Sequence, residues 1–414
     1  MSACVVRQAR SVSEKLEHAP SRPASPAKWL MISKERARSA PMCQSAQHRA
    51  RTGTAILVAV LLVAQARSRA VQNPRSDAPV SSATTQEAIR PGLRVVAIDI
   101  FGNATVPTAT LRKLIPLDEG AIITLEQTLA LLKPQERATA TGSLPPGVPD
   151  ESRVDFALHV LGERIEHQAL EMAPIVFATF GQITRSDRTI ILVLDVAERG
   201  DPGLSGFRAL PEEDVPLPEE LGTLWQGYRD LIFGGLRDGN TVEEAMESGH
   251  WRTLDPRTRA LEERFLALVR DSLSAVSAAA LRHRDPNVRQ MCAYMLTWSP
   301  DPVSAVQTLL VAIRDPVRFV RNEAARALIP LAALSVERRG VEVPVEPVVD
   351  LLNRATATDR NKAAAILLKV AADPSRRTMI RRLAERRLEA MAASRAPLNH
   401  DVAVSLLALL RDSR

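Results

Sequence analysis

Few residues in this chain stand at spacings that do chemistry. His159, Glu163 and His167 recur every fourth position, which on a helix stacks them along one face at a spacing a metal ion accepts. Neither an HExxH pair nor a nearby cysteine accompanies them, so a solvated helix face explains them with less machinery. Cys4 and Cys43 lie near the N-terminus, which leaves Cys292 alone in the rest of the chain. Cys292 shares an apolar helical side with Val288 and Met295, so a buried thiol is expected there and not a nucleophile. His283 falls in a turn and His400 beside a helix start, both expected to be exposed. GxSxG, the P-loop and a GxGxxG between strand and helix are all missing from the sequence. The expectation is a protein that is not an enzyme, with no catalytic residue, metal or cofactor.

Charge narrows the partners. The formal net charge is +6, from 54 basic and 48 acidic residues, yet ten of the basic and three of the acidic ones lie in residues 1–66. Residues 67–414 carry 44 basic against 45 acidic side chains, so the basicity belongs to the leading segment and a nucleic-acid partner is not expected. The one dense basic stretch afterwards is "SRRTMIRRLAERR", with Arg376, Arg377, Arg381, Arg382, Arg386 and Arg387 on one helix. Without interleaved aromatics it suits an acidic protein, a lipid head group or plain water, the last being the default.

The residues that repeat are more informative than the reactive ones. "RDPNVRQMCAYML" at 284–296 is echoed by "RDPVRFVRNEAARAL" at 314–328. An Asp before Pro suits a helix start, since its carboxylate accepts from free first-turn amides and Pro at the first helical position forgoes no bond. Val288, Arg289, Ala293 and Leu296 align with Val320, Arg321, Ala325 and Leu328 at an offset of 32 residues. "TDRNKAAAILL" gives a third copy at an offset of 39, with Arg360, Asn361, Ala364 and Leu367. Small residues at fixed helical offsets let helices approach closely, and repeats of this length stack.

This pattern resembles HEAT repeats, helical hairpins stacked into a solenoid, over hairpins near 257–298, 302–333, 344–372 and 376–412. By that resemblance Asp285, Arg289, Asp315 and Arg321 are structural, bonding between adjacent repeats. It also implies a protein partner meeting the ridge of second helices, where Arg318, Asn322, Arg326 and Lys362 are the candidates. Some HEAT-like proteins are lyases or glycosylases, an alternative for which no paired carboxylates stand at suitable spacing.

Ahead of the repeats, "LRVVAIDIFGN" reads as a strand closed by a Gly-Asn turn, and Leu111, Leu114 and Ile115 as one face of a helix stopped by Pro116. Residues 134–151, rich in Pro and Gly, read as a loop; Val154, Leu158, Leu161, Ile165, Ala169 and Met172 then give a second helical period. "IVFATFGQI" and "IILVLDVAE" flank a polar turn as a hairpin. The order and the motifs Gly102-Asn103, Leu117 with Gly120, and Val196 with Glu198 resemble a POTRA-type module over 93–199, although the proline-rich insertion departs from that pattern. An unrelated small α+β domain fits as well. The POTRA resemblance implies binding by strand addition at a sheet edge, hence an envelope-assembly or secretion accessory.

"HRARTGTAILVAVLLVAQARS" sets Arg49 and Arg51 before an apolar run and offers Ala64-Gln65-Ala66 for cleavage, which resembles a bacterial secretory signal peptide. Ten apolar residues rise about 15 Å as a helix, roughly half a bilayer core, so an integral span is the weaker reading, while contact with a membrane surface is compatible. Met42 is the expected start, 25 residues from Ala66 inclusive. The expected layout is a leader (1–66), a tether (67–91), the module (93–199), a linker (200–220), connecting helices without strands (221–256) and HEAT-like repeats (257–414). The fold class is a small N-terminal α+β module followed by an all-α HEAT-like helical solenoid, serving as an exported, periplasmic or envelope protein-binding scaffold.

Overall fold

The computed structural model describes residues 92–142, 150–184, 187–237, 244–247, 250–337 and 340–412. The leader, its cleavage site, both candidate starts and the tether lie outside those residues.

The first region is a mixed α/β module. Strand β1 (Leu93–Phe101) is followed by α1 (Thr108–Arg112), β2 (Ile122–Ile123), α2 (Leu125–Ala130), α3 (Pro134–Gly142), α4 (Asp150–Leu170), β3 (Ile175–Thr184) and β4 (Thr189–Glu198). The sheet order is β2-β1-β4-β3, with β1 parallel to β4 and β3 antiparallel to it. Part of the stretch read as a loop is helix α3: Pro134 starts it, and Glu136 turns back to accept from the Lys133 amide at 2.8 Å. Residues 143–149 fall outside the described ones.

Strand β4 is central and buried on both sides, and its alternation assigns each side a neighbour. Ile190, Leu192, Leu194 and Val196 join a core with Leu158, Leu161 and Ile165 of α4. Ile191 and Val193 on the opposite face join Ala97 and Ile183, and meet Ala396 and Leu398 from the far end of the chain. Gly162 allows α4 this approach, since a Cβ there would stand 2.5 Å from the Phe180 ring.

After β4 the chain runs through the stretch 200–218 to α5 (Glu219–Arg237), then a two-stranded hairpin of β5 (Glu244–Glu247) and β6 (His250–Thr253). That hairpin corrects the expectation of no strand beyond Leu221; its short strands, interrupted by residues outside the described set, carry little alternation to read. The remaining helices are α6 (Pro256–Arg282), α7 (Pro286–Met295), α8 (Pro302–Ala312), α9 (Arg318–Glu337), α10 (Val345–Leu352), α11 (Ala357–Val370), α12 (Pro374–Ala392) and α13 (Pro397–Arg411). They pair as four hairpins, and the second helices α7, α9, α11 and α13 pack successively on one another around one continuous apolar core. Helix α6 bends at Ser272, where φ is −123° and ψ 18°. Among the described residues four α-helices begin with Asp-Pro, the carboxylates of Asp255, Asp285, Asp301 and Asp373 accepting from first-turn amides. Asp315-Pro316 differs: it makes a turn two residues before α9, and the Asp315 carboxylate faces inward.

Candidate functional site

The repeated arginines occupy one recurring geometry. Arg289 donates to the carbonyls of His283 and Arg284 in its own turn, at 2.8 and 3.0 Å, and forks onto the Asp315 carboxylate of the next hairpin at 2.8 and 3.0 Å. Arg321 likewise holds the carbonyls of Asp315 and Pro316 at 2.9 and 3.1 Å, and Asp359 at 3.0 and 2.7 Å. Arg360 repeats the pattern with the carbonyls of Arg354 and Ala355, but its carboxylate is Asp195 of β4. The module thus supplies the third rung of a ladder whose first two rungs lie within the helices. Asp195 also accepts from the Ala357 amide at 2.7 Å, capping the start of α11.

All six rung residues are buried. Charges taken out of water stabilise only when paired with good geometry, and removing one partner of such a pair costs about 3–5 kcal/mol. Of the four residues expected to be structural, Arg289, Asp315 and Arg321 stand in rungs. Asp285 instead caps α7, accepting from the Asn287 amide at 2.8 Å.

The stretch 200–215 is a strap bound along the turns. Arg354 donates to the carbonyls of Gly203, Ser205 and Gly206, and Phe207 lies between the guanidinium groups of Arg321 and Arg354, 4.8 and 4.1 Å from its ring centre. Arg208 reaches the Leu281 carbonyl and Asp315, and the Arg284 amide donates to the Glu213 carbonyl at 2.6 Å.

The ridge expected to meet a partner is already covered, which corrects that expectation. Arg318 donates to Thr179 of β3 at 2.8 Å. Asn322, Arg326 and Lys362 are only 8, 6 and 6% exposed. The cover over Arg326 is the β5-β6 hairpin, which brings Glu244 to the guanidinium and donates from the Trp251 indole to the Arg326 carbonyl at 3.1 Å. Burial alone would lower the Arg326 pKa, but Glu244 and Glu323 outweigh it and hold the group well above its ordinary value. Lys362 is pushed down to about 8, by burial first and then by repulsion from Arg326. Burial raises Glu262 to about 7 beneath the same hairpin, even though it accepts from the Thr253 amide.

His159 and Glu163 stand 3.8 Å apart, His167 instead faces Glu171 at 3.3 Å, and no cluster able to hold a metal occurs among the described residues. Cys292 is buried, which pushes its thiol up to about 12. In the basic helix, Arg376 meets Glu342 and Arg377 the Ala371 carbonyl. Arg387 lies against Phe101 and three carbonyls ending α10, while Arg382 and Arg386 are exposed.

Between the first helices α8 and α10 runs an open groove of about 410 Å³, lined by Leu310, Val311, Arg314, Glu346, Pro347 and Asp350, with Arg208 of the strap. Val303 and Val311, on the outer side of α8, are 39 and 44% exposed. Among the described residues no helix is long and apolar enough to cross a membrane.

Three successive helical hairpins tied by a periodic arginine ladder narrow the comparison with known families. Residues 273–369 match the family model for HEAT repeats. The matched HEAT segment starts inside α6, ends in α11 and contains every arginine of the ladder, but not Asp195. Among curated proteins the chain has no match. Sequence reasoning missed Asp195 and Asp359 as partners; the signal was present, since Arg360 falls at the ladder offset and Asp195 is the only charge inside "IILVLDV".

Proposed function

We propose that this chain is an exported scaffold that binds another protein through its HEAT repeats and performs no catalysis of its own. HEAT repeats are typically protein-interaction scaffolds, and the matched segment is the observation that carries the reading. Its buried charges are engaged in holding neighbouring elements together. Its outer helices leave Val303, Val311 and the α8-α10 groove open to a partner. The apolar faces of a HEAT stack are satisfied by neighbours, so exposed valines beside a groove give a partner apolar area to cover.

Crosslinking in the cell envelope followed by mass spectrometry tests this. Crosslinks to α8 and α10 are expected in the parent chain, and at least about tenfold fewer in Val303→Glu/Val311→Glu. Unchanged crosslinking to those helices contradicts the reading. The strand-addition reading is supported by β3, the longer of the two edge strands of the module's sheet, and crosslinks confined to β3 would favour it. Export rests on the leader sequence, and sequencing of the mature protein is expected to begin at Arg67; an unprocessed N-terminus contradicts it.

A further inference from the structure

The outer surface of the helical row changes character from one first helix to the next. Helix α8 carries no charged side chain, and its exposed residues Val303, Gln307 and Val311 recur every fourth position. On the other wall of the groove, α10 carries two charges, Glu346 and Asp350, both exposed and one helical turn apart. Asp350 stands 3.7 Å from the half-exposed Arg314, and Glu346 has no charged partner among the described residues. Helix α12 packs next to α10 in the same chain and turns Arg382 and Arg386 outward, also one turn apart, with Glu389 a turn further on and Leu383 exposed beside them. Neither arginine reaches an acidic group among the described residues. Two carboxylates and two guanidinium groups, each pair about 6 Å apart along its helix, are thus complementary in sign and in spacing. They lie side by side on one layer of one chain, so a second copy, turned over, is what brings each set opposite the other.

We propose that the layer of first helices is a self-association surface: α12 of one copy seats on the α8-α10 groove of a second copy, and by two-fold symmetry the same contact forms twice. This rests on the reading above that the groove binds protein, and it names that protein as another molecule of this chain. Arg382 and Arg386 meet Glu346 and Asp350, while Leu383 covers the exposed aliphatic side of α8. The charges fix the register of the two helices, and the apolar side chains supply area removed from water. A half-exposed ion pair such as Arg314 with Asp350 contributes little and gives way readily.

Sedimentation equilibrium of the purified full-length chain, with no other protein present, tests this. At about 100 μM, well above a micromolar dissociation constant, the parent chain is expected to run at twice its chain mass. Glu346→Arg/Asp350→Arg and Arg382→Glu/Arg386→Glu are each expected to weaken the dimer at least about tenfold, because like charges then face each other. Mixed in equal amounts, the two variants are expected to recover it, since each supplies at both contacts the sign that the other lacks. Should a double variant fail to fold by far-ultraviolet dichroism, the single changes Glu346→Arg and Arg386→Glu read the same loss and the same recovery on mixing. A monomeric parent, a dimer indifferent to both reversals, or no recovery on mixing overturns the proposal. Envelope crosslinking registers any protein at the groove and sedimentation only a second copy, so the two fail separately: a monomeric parent that still crosslinks to a different protein at α8 and α10 overturns self-association and leaves the protein-binding reading standing.

Discussion

At the scale of single residues, two glutamates point in opposite directions. Glu198 accepts from the amides of Ala104, Thr105 and Val106 at 2.8, 2.7 and 3.0 Å and from the Thr105 hydroxyl at 2.6 Å. These bonds, the hydroxyl first, lower it to about 2 from an ordinary value near 4.5. The stability it contributes is present above pH 4.5 and lost as pH falls toward 2. Glu262, raised by burial to about 7 with Glu244 adding repulsion and Arg252 opposing it, has the reverse sign. Its neutral form is favoured in the folded chain, so its contribution is complete below pH 4.5 and lost as pH rises through 7. Urea unfolding across pH is expected to show Glu198→Gln losing the acid-side dependence and Glu262→Gln losing the decline between pH 4.5 and 7. A parallel curve for either variant contradicts its assignment. Glu198 was legible as a motif residue beside Gly102, whose φ of +92° and contact with the Val196 carbonyl demand glycine. Glu262 was not, because nothing in a helical sequence announces that a hairpin will settle on it.

At the scale of elements, helices and strands whose pattern is set by their own core were readable. The period of Leu158, Leu161, Ile165 and Ala169 became α4, and the unbroken apolar run of β4 became a strand buried on both faces. Asp-Pro marked helix starts wherever the carboxylate was free to cap. At Asp315 the same carboxylate accepts from the Val317 amide at 2.8 Å while also taking Arg289 and Arg208, and the helix begins two residues after Pro316, at Arg318. The α3 helix escaped notice because Pro and Gly around it read as a loop, although Pro at a first helical position is compatible with either. The ridge of second helices was misjudged for a more general reason. Polar residues at regular offsets predict a solvated face, and whether another element of the same chain covers that face depends on contacts between residues more than a hundred positions apart, such as Arg318 with Thr179.

At the scale of the whole molecule, the described residues belong to one compact unit in which the α/β module continues the stack of repeats. The module meets the turns of the hairpins through Asp195 and Asp99 of its sheet, the latter with Ser394, and through Glu119 of the loop before β2 with Arg395. The strap then returns along the same turns toward α6. A HEAT stack ordinarily needs a distinct end to protect its last apolar face. Here the module satisfies the edge where Arg360 would otherwise be left buried without a carboxylate. That arrangement makes the module part of the folding unit and not an appendage on a tether. The measurement that bears most directly on it is a double-mutant cycle between Asp195→Ala and Arg360→Ala, read by urea unfolding of the full chain. A coupling energy of about 1.5–3 kcal/mol is predicted, in the range for contacting residues of one buried network. Additive effects, with coupling near zero, would show that the ladder stops at Asp359 and that the module does not share in the stability of the repeats.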